Sequence, residues 1–113
     1  MICLEALPLA RYAPYIYRTK DFLTWEAGLH NPVLWISEED HTPMEGSVFS
    51  PEEEALIRTH LNINNCDVDV CEFEGKTHIV YMTGDQLGAC FGCRAVYEGT
   101  MEQFFQNFFN VLN

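Results

Sequence analysis

Asp67 and Asp69 are the residues of this 113-residue chain best suited to chemistry. On an extended strand, side chains at i and i+2 leave the same face, with Cβ atoms ~7 Å apart. Paired carboxyl groups suit acid–base chemistry at a reacting bond, one as acid and one as base or nucleophile. In residue type the two aspartates fit that work as candidate catalytic groups. Each also suits a plainer role, capping a turn or accepting backbone amides, and for Asp69 the plainer role is preferred.

Four further side chains are candidates for binding a polar substrate. Asn64 and Asn65 either hydrogen-bond a ligand's hydroxyls or shape a turn, and Glu5 is either a ligand contact or a solvated surface acid. Arg18 is either a substrate contact or half of an Arg18–Asp21 pair that holds a turn. Trp25, Trp35, Tyr15 and Tyr17 have faces on which a ligand ring could stack, but aromatics of this kind more often belong to a core.

The cysteines offer a different chemistry. Cys66-x4-Cys71 and Cys90-x2-Cys93 supply four thiols, the number a structural zinc needs. The first spacing is too wide for a knuckle, and Cys90 and Cys93 fall on a strand with opposite facing. Free thiols are the expectation, with no metal and no cofactor. With Cys3 the thiols number five, an odd count that argues against a complete disulfide framework and for a reducing, cytoplasmic setting. The chain has no Ser-His-Asp arrangement, no phosphate-cradling glycine loop and no His-x-x-x-His pair.

Composition narrows the partners. Seventeen acidic and six basic residues give a formal charge of −11, which repels phosphate backbones and anionic lipid heads. Nucleic acid and membrane surfaces are therefore excluded as expected partners, while neutral and cationic ligands remain. No stretch reaches the ~20 apolar residues that cross a bilayer, and residues 1–11 lack the basic start and apolar run of a secretory signal. An apolar fraction of 48% is enough for a packed core.

The elements that must position these side chains are mostly strands. Short extended runs at 3–7 and 12–19 are followed by a turn at Lys20-Asp21 leading into 22–26. Residues 27–50, with Gly28, Pro32, Pro43 and Gly46, read as a long loop. Ser50-Pro51-Glu52-Glu53 starts a helix with a capping box and a proline at its first position. That helix ends near Leu61, with Leu56, Ile57 and Leu61 as its buried face. From 65 to 98 the pattern is β: Val68 and Val70 share a face, Glu74-Gly75-Lys76 makes a hairpin turn, 78–82 returns, and residues 84–88 turn into 89–97. Thr100 and Gln103 cap a last helix, whose Met101, Phe104, Phe105, Phe108 and Phe109 form one apolar face that docks on the sheet.

Three of these stretches resemble a known family. Tyr15-Ile16-Tyr17-Arg18-Thr19-Lys20-Asp21-Phe22-Leu23-Thr24-Trp25-Glu26 resembles the strand-and-turn Y-I-x-R-S-K-D-L-x-x-W-E. Asn62-Ile63-Asn64-Asn65-Cys66-Asp67-Val68-Asp69-Val70-Cys71-Glu72-Phe73-Glu74-Gly75-Lys76-Thr77 is similar to N-I-N-N-S-D-V-D-L-C-E-F-x-G-K-T. Ala95-Val96-Tyr97-Glu98-Gly99-Thr100-Met101-Glu102-Gln103-Phe104-Phe105 looks like the close of the same proteins. They are glycosidase-like five-bladed β-propellers related to glycoside hydrolase families 43 and 32.

What the resemblance implies is a mainly β chain of antiparallel four-stranded-blade meanders with two short helices. The chain would supply about two of five blades, as a single partial domain. Its parts would be a blade portion at 1–29, a loop and helix insertion at 30–64, a blade meander at 65–98 and a C-terminal helix at 99–113. The segment from Asp67 would begin an innermost strand lining a carbohydrate pocket. Because catalytic pairs in such propellers come from different blades, binding sugar hydroxyls or orienting a partner acid is the modest role for these aspartates. The expected partners are a carbohydrate ligand and either the missing blades or a second copy of the chain.

The chain also departs from the family. Where relatives read S-W-G-N-Q-x-G-T-E-F, it has Met82-Thr83-Gly84-Asp85-Gln86-Leu87-Gly88-Ala89-Cys90-Phe91, so the tryptophan is lost and Cys90 stands at the glutamate position. Cys66 replaces a serine. The alternative expectation is a non-catalytic binding or assembly module that uses sheet edges and the phenylalanine-rich helix.

Overall fold

Alternating apolar residues broken by turn chemistry produce two antiparallel three-stranded sheets. The computed structural model describes residues 1–111. The first sheet runs in the order β1 (Ile2–Leu7), β2 (Arg11–Arg18) and β3 (Glu26–Ala27). The second runs β4 (Asn64–Phe73), β5 (Lys76–Gly84) and β6 (Cys90–Tyr97). The mainly β, antiparallel expectation holds. Each sheet has three strands among the described residues, not the four of a full blade. The stretch expected to run on from the Lys20-Asp21 turn is irregular until its last residue, and β3 is only two residues long. Its turn is built on the side chain of Asp21, which takes the place of a backbone ladder.

One helix lies in the chain between the sheets and a second follows them. Ser50 accepts the Glu53 amide at 3.2 Å while the Glu53 carboxylate accepts the Ser50 amide at 2.7 Å, which starts α1 (Pro51–Thr59). The same reciprocal capping by Thr100 and Gln103 starts α2 (Met101–Asn107). These caps satisfy backbone donors that the first turn leaves free. Only Ile57 of α1 is buried; Leu56 and Leu61, expected beside it, are exposed. The helix touches the rest of the chain along a narrow strip, so an apolar triplet overstates its buried face.

The core lies between the sheets and under α2. Ile16, Val33, Ile79 and Phe104 are its buried residues, with Val68, Val70, Tyr81, Ala95 and Tyr97 packed against them. The Phe104 ring sits 5.5 Å from that of Tyr97 and 5.2 Å from that of Phe108, within the range of favourable edge and tilted aromatic contacts. The phenylalanine face of α2 therefore docks on the sheet, as its periodicity requires. Gly28 is where α2's end meets β2: a Cβ there would lie 2.8 Å from Ile16 Cγ2 and 3.2 Å from Phe108 Cβ.

The long loop is more ordered than its proline and glycine content suggests. Residues Glu38–His41 form a 3₁₀ turn, and Asp40 at its centre is 4% exposed. Ser37 and Asp40 carry the capping pattern of a helix start, a local signal for this turn.

Candidate functional site

The six candidate side chains are scattered. Asn64 and Asn65 are buried at 1% and 2% exposure and carry internal structure. Asn64 Oδ1 accepts the Tyr12 amide at 2.6 Å, tying β4 to β2 across the two sheets. Asn65 Nδ2 donates to Trp35 O at 3.0 Å and to Asp40 at 3.1 Å. Glu5 accepts from the Tyr17 hydroxyl at 2.6 Å, and this bond is the first cause of the Tyr17 pKa rising to about 12.

Arg18 makes two parallel bonds to Glu26, at 2.7 and 2.9 Å, and lies 4.3 Å from the Phe109 ring centroid. Its expected partner Asp21 is engaged elsewhere. The Asp21 carboxylate accepts the amides of Leu23 and Thr24 and both neighbouring threonine hydroxyls. The Thr24 and Leu23 amides, first among these causes, hold its pKa down to about 2. Trp25 and Trp35, candidates for core, are both substantially exposed.

Asp67 and Asp69 are exposed and separated by a break in strand geometry. Cys66 pairs with Met82 and Asp69 with Val80, so β4 spends three steps where β5 spends two. The extra residue is a β-bulge, and Asp67 occupies it with φ at 52°. An aspartate tolerates this left-handed region better than most side chains. The regular two-residue alternation that places both carboxylates on one face therefore does not hold here. Asp69 Oδ1 accepts the neighbouring Val70 amide at 2.9 Å.

Asp67 instead turns toward a small pocket of about 230 Å³. Cys66, Asp67, Met82 and Gly84 line it from the paired strands, and Gln86 and Cys90 from the turn and β6. Gly84 makes the floor possible: its φ is 148°, and a Cβ there would run into the Ala89 carbonyl and the Cys90 backbone. Gln86, at φ 64°, donates from Nε2 to Cys66 Sγ at 3.9 Å. The Cys66 thiol in turn faces Asp67 Oδ2 at 3.6 Å. Burial first, and then the Asp67 charge, push the Cys66 thiol pKa up, so it stays protonated as a weak donor. The other Asp67 oxygen takes no hydrogen bond among the described residues.

Asp85 holds the lip. Its Oδ1 accepts the amides of Leu87, Gly88 and Ala89 at 2.8, 3.2 and 3.1 Å, fixing the turn that carries Gln86. The Leu87 bond is the first cause of its lowered pKa.

The pocket backs onto a polar knot that sequence reasoning missed. Asp40 Oδ2 accepts from the Ser37 amide, Asn62 Nδ2 and Asn65 Nδ2 at 3.0, 2.9 and 3.1 Å, and Oδ1 accepts the Tyr81 hydroxyl at 2.8 Å. Burial first, then this bond, hold the Tyr81 pKa well above its ordinary value. Beside it, His60 Nδ1 donates to the Ile57 carbonyl at 2.7 Å, which leaves Nε2 to accept the Thr83 hydroxyl at 3.2 Å. The His60 ring lies 4.7 Å from both His41 and Phe91. These contacts lock the loop and α1 to the back of β5.

No family model, no curated protein and no solved structure matches the chain. All five thiols are free, and no cluster of three or more histidine, cysteine or acidic side chains among the described residues is arranged to hold a metal. No helix among the described residues is long and apolar enough to cross a membrane. What the local chemistry offers is one carboxylate, one amide and soft sulfur walls around a space for a small polar ligand.

Proposed function

We propose that this chain supplies a carbohydrate-binding pocket within a glycoside-hydrolase-like β-propeller. One observation carries the reading. The Asn62–Thr77 stretch, which resembles a propeller glycosidase, and the divergent turn at 82–91 meet at one cavity, with Asp67 from the first and Gln86 and Cys90 from the second lining it. Two antiparallel meanders, each entered by a strand bearing a candidate acid, are consistent with two partial blades.

The pocket's chemistry supports binding more than hydrolysis by this chain. Glycosidic cleavage needs a second carboxyl group across the bond. Cys90 occupies the position that a glutamate holds in the resembling proteins, and Asp67 is the one acid lining the cavity. Asp67 and the Gln86 amide would hold sugar hydroxyls, while Met82 and the thiols supply an apolar wall. An assay of aryl-glycosides tests this directly. The expected result is saturable binding of the parent sugar without turnover, and with weaker binding in Asp67→Asn. Turnover by the unmodified chain, or binding undiminished in Asp67→Asn, would contradict it.

A second reading, an assembly module, is favoured by a different place in the molecule. Phe22, Trp25, Phe105 and Phe109 line a groove of about 310 Å³, and Phe22 is 81% exposed. Beta6 also has an unpaired outer edge among the described residues. The missing blades, or a second copy of the chain, would cover such surfaces. Sedimentation velocity over a hundredfold concentration range checks the second-copy version. Concentration-dependent dimers would support it, and a constant monomer would oppose it.

A further inference from the structure

We propose that the Asp67 pocket selects an amino sugar: a single ring bearing a free ammonium group, in preference to neutral or acidic sugars. The inference rests on the carbohydrate reading above and specifies the ligand class of that same site.

The charge layout is one-sided. Asp67 is the one ionisable acid lining the pocket, and no lysine, arginine or histidine lines it. The nearest acid on the turn, Asp85, has an oxygen occupied by three backbone amides of its own loop. The protein itself gives the exposed carboxylate few donors. One oxygen meets only a thiol, at 3.6 Å, and the other takes no hydrogen bond among the described residues. A thiol is a weak donor, so a strong cationic donor placed in the cavity gains a charge-assisted bond that a neutral hydroxyl cannot match.

Two further observations set the ligand's size and sign. A cavity of about 230 Å³ falls below the ~300 Å³ at which pockets for drug-sized ligands begin, which suits one sugar ring. The chain's formal charge of −11 raises the local concentration of cations and opposes uronic acids. Cys66, Met82 and Cys90 are among the lining residues, so the ring's apolar face has a surface to rest on while its ammonium group reaches Asp67.

Asp67 is exposed, which limits the preference to about fivefold in affinity at low salt. Calorimetric titration with glucosamine, glucose, N-acetylglucosamine and glucuronate, on the unmodified chain and on Asp67→Asn, tests the proposal. A thermal melt of Asp67→Asn establishes that the variant is folded. The expected order is glucosamine tightest and glucuronate weakest, with the spread shrinking at high salt and vanishing in Asp67→Asn. Equal affinity for glucosamine and glucose overturns the inference while leaving the carbohydrate pocket standing. So does a preference that survives in Asp67→Asn. Absence of binding by all four sugars overturns both.

Discussion

The Tyr81 hydroxyl donates to Asp40 Oδ1 at 2.8 Å across 41 residues of sequence. That bond joins the middle of a meander to a turn in the loop before it. It belongs to a knot in which one buried carboxylate satisfies donors from the loop, from β4 and from β5. Thr83 of β5 lines the pocket and bonds His60 beside this knot, so the two share a wall.

Removing the carboxylate should loosen the whole junction. Asp40→Ala leaves the Tyr81 hydroxyl and the Asn62 and Asn65 amides short of an acceptor, at a cost of about 3 kcal/mol. Tyr81→Phe removes one donor and should cost about 1 kcal/mol. Urea unfolding followed by tryptophan fluorescence measures both. Equal, negligible losses would show that the knot does not bear on stability.

Gly84 is expected to tolerate no side chain. Its φ of 148° and the Ala89 carbonyl leave no room for a Cβ, so Gly84→Ala should destabilise by about 2 kcal/mol and weaken any pocket ligand. Gly75, at a hairpin turn with open space around it, is the control for strain without a clash.

The turn that presents Phe22 should open in acid. Backbone amides in the folded chain depress the Asp21 pKa to about 2, from an ordinary value of 3.8. A depressed carboxylate stabilises above its unfolded pKa and loses that contribution as pH falls through its folded pKa. The Leu23 and Thr24 amide resonances should therefore shift together with a midpoint near pH 2. A midpoint near 4 would mean that the carboxylate does not hold the turn.

Thiol reactivity should divide by burial. Cys71 and Cys90 are exposed and should react rapidly with an aromatic disulfide reagent, whereas Cys66 and Cys93 carry pKa values raised first by desolvation and should lag. Stopped-flow absorbance with single Cys→Ser variants assigns the phases. Cys66 reacting as fast as Cys71 would mean that the pocket is more open than its geometry indicates.

Local signals carried most of the architecture. Ser50 with Glu53 and Thr100 with Gln103 announce both helices, and the alternation through Val68 and Val70 together with the Glu74-Gly75-Lys76 turn announces the meander. The inserted residue at Asp67 was invisible, because a bulge is set by pairing with β5 and not by the strand's own pattern. That single insertion changes which face each aspartate serves.

Long-range partners were equally beyond reach. Sequence leaves Asn64 and Asn65 open between ligand contact and turn, whereas Tyr12, Trp35 and Asp40, distant in the chain, are their partners. Arg18 read as the partner of Asp21 because the two are close in sequence, but strand pairing sets it against Glu26. Leu56 and Leu61 looked like core because periodicity reports an apolar stripe and cannot report how much of it is covered.

The pocket claim meets its most direct test in an amide chemical-shift map of the chain titrated with a monosaccharide. The account predicts saturable shifts at Asp67, Gly84, Gln86 and Cys90, saturating at higher sugar concentration in Asp67→Asn, with the groove at Phe22 and Trp25 unmoved. Shifts confined to that aromatic groove, or none at any residue, would contradict it.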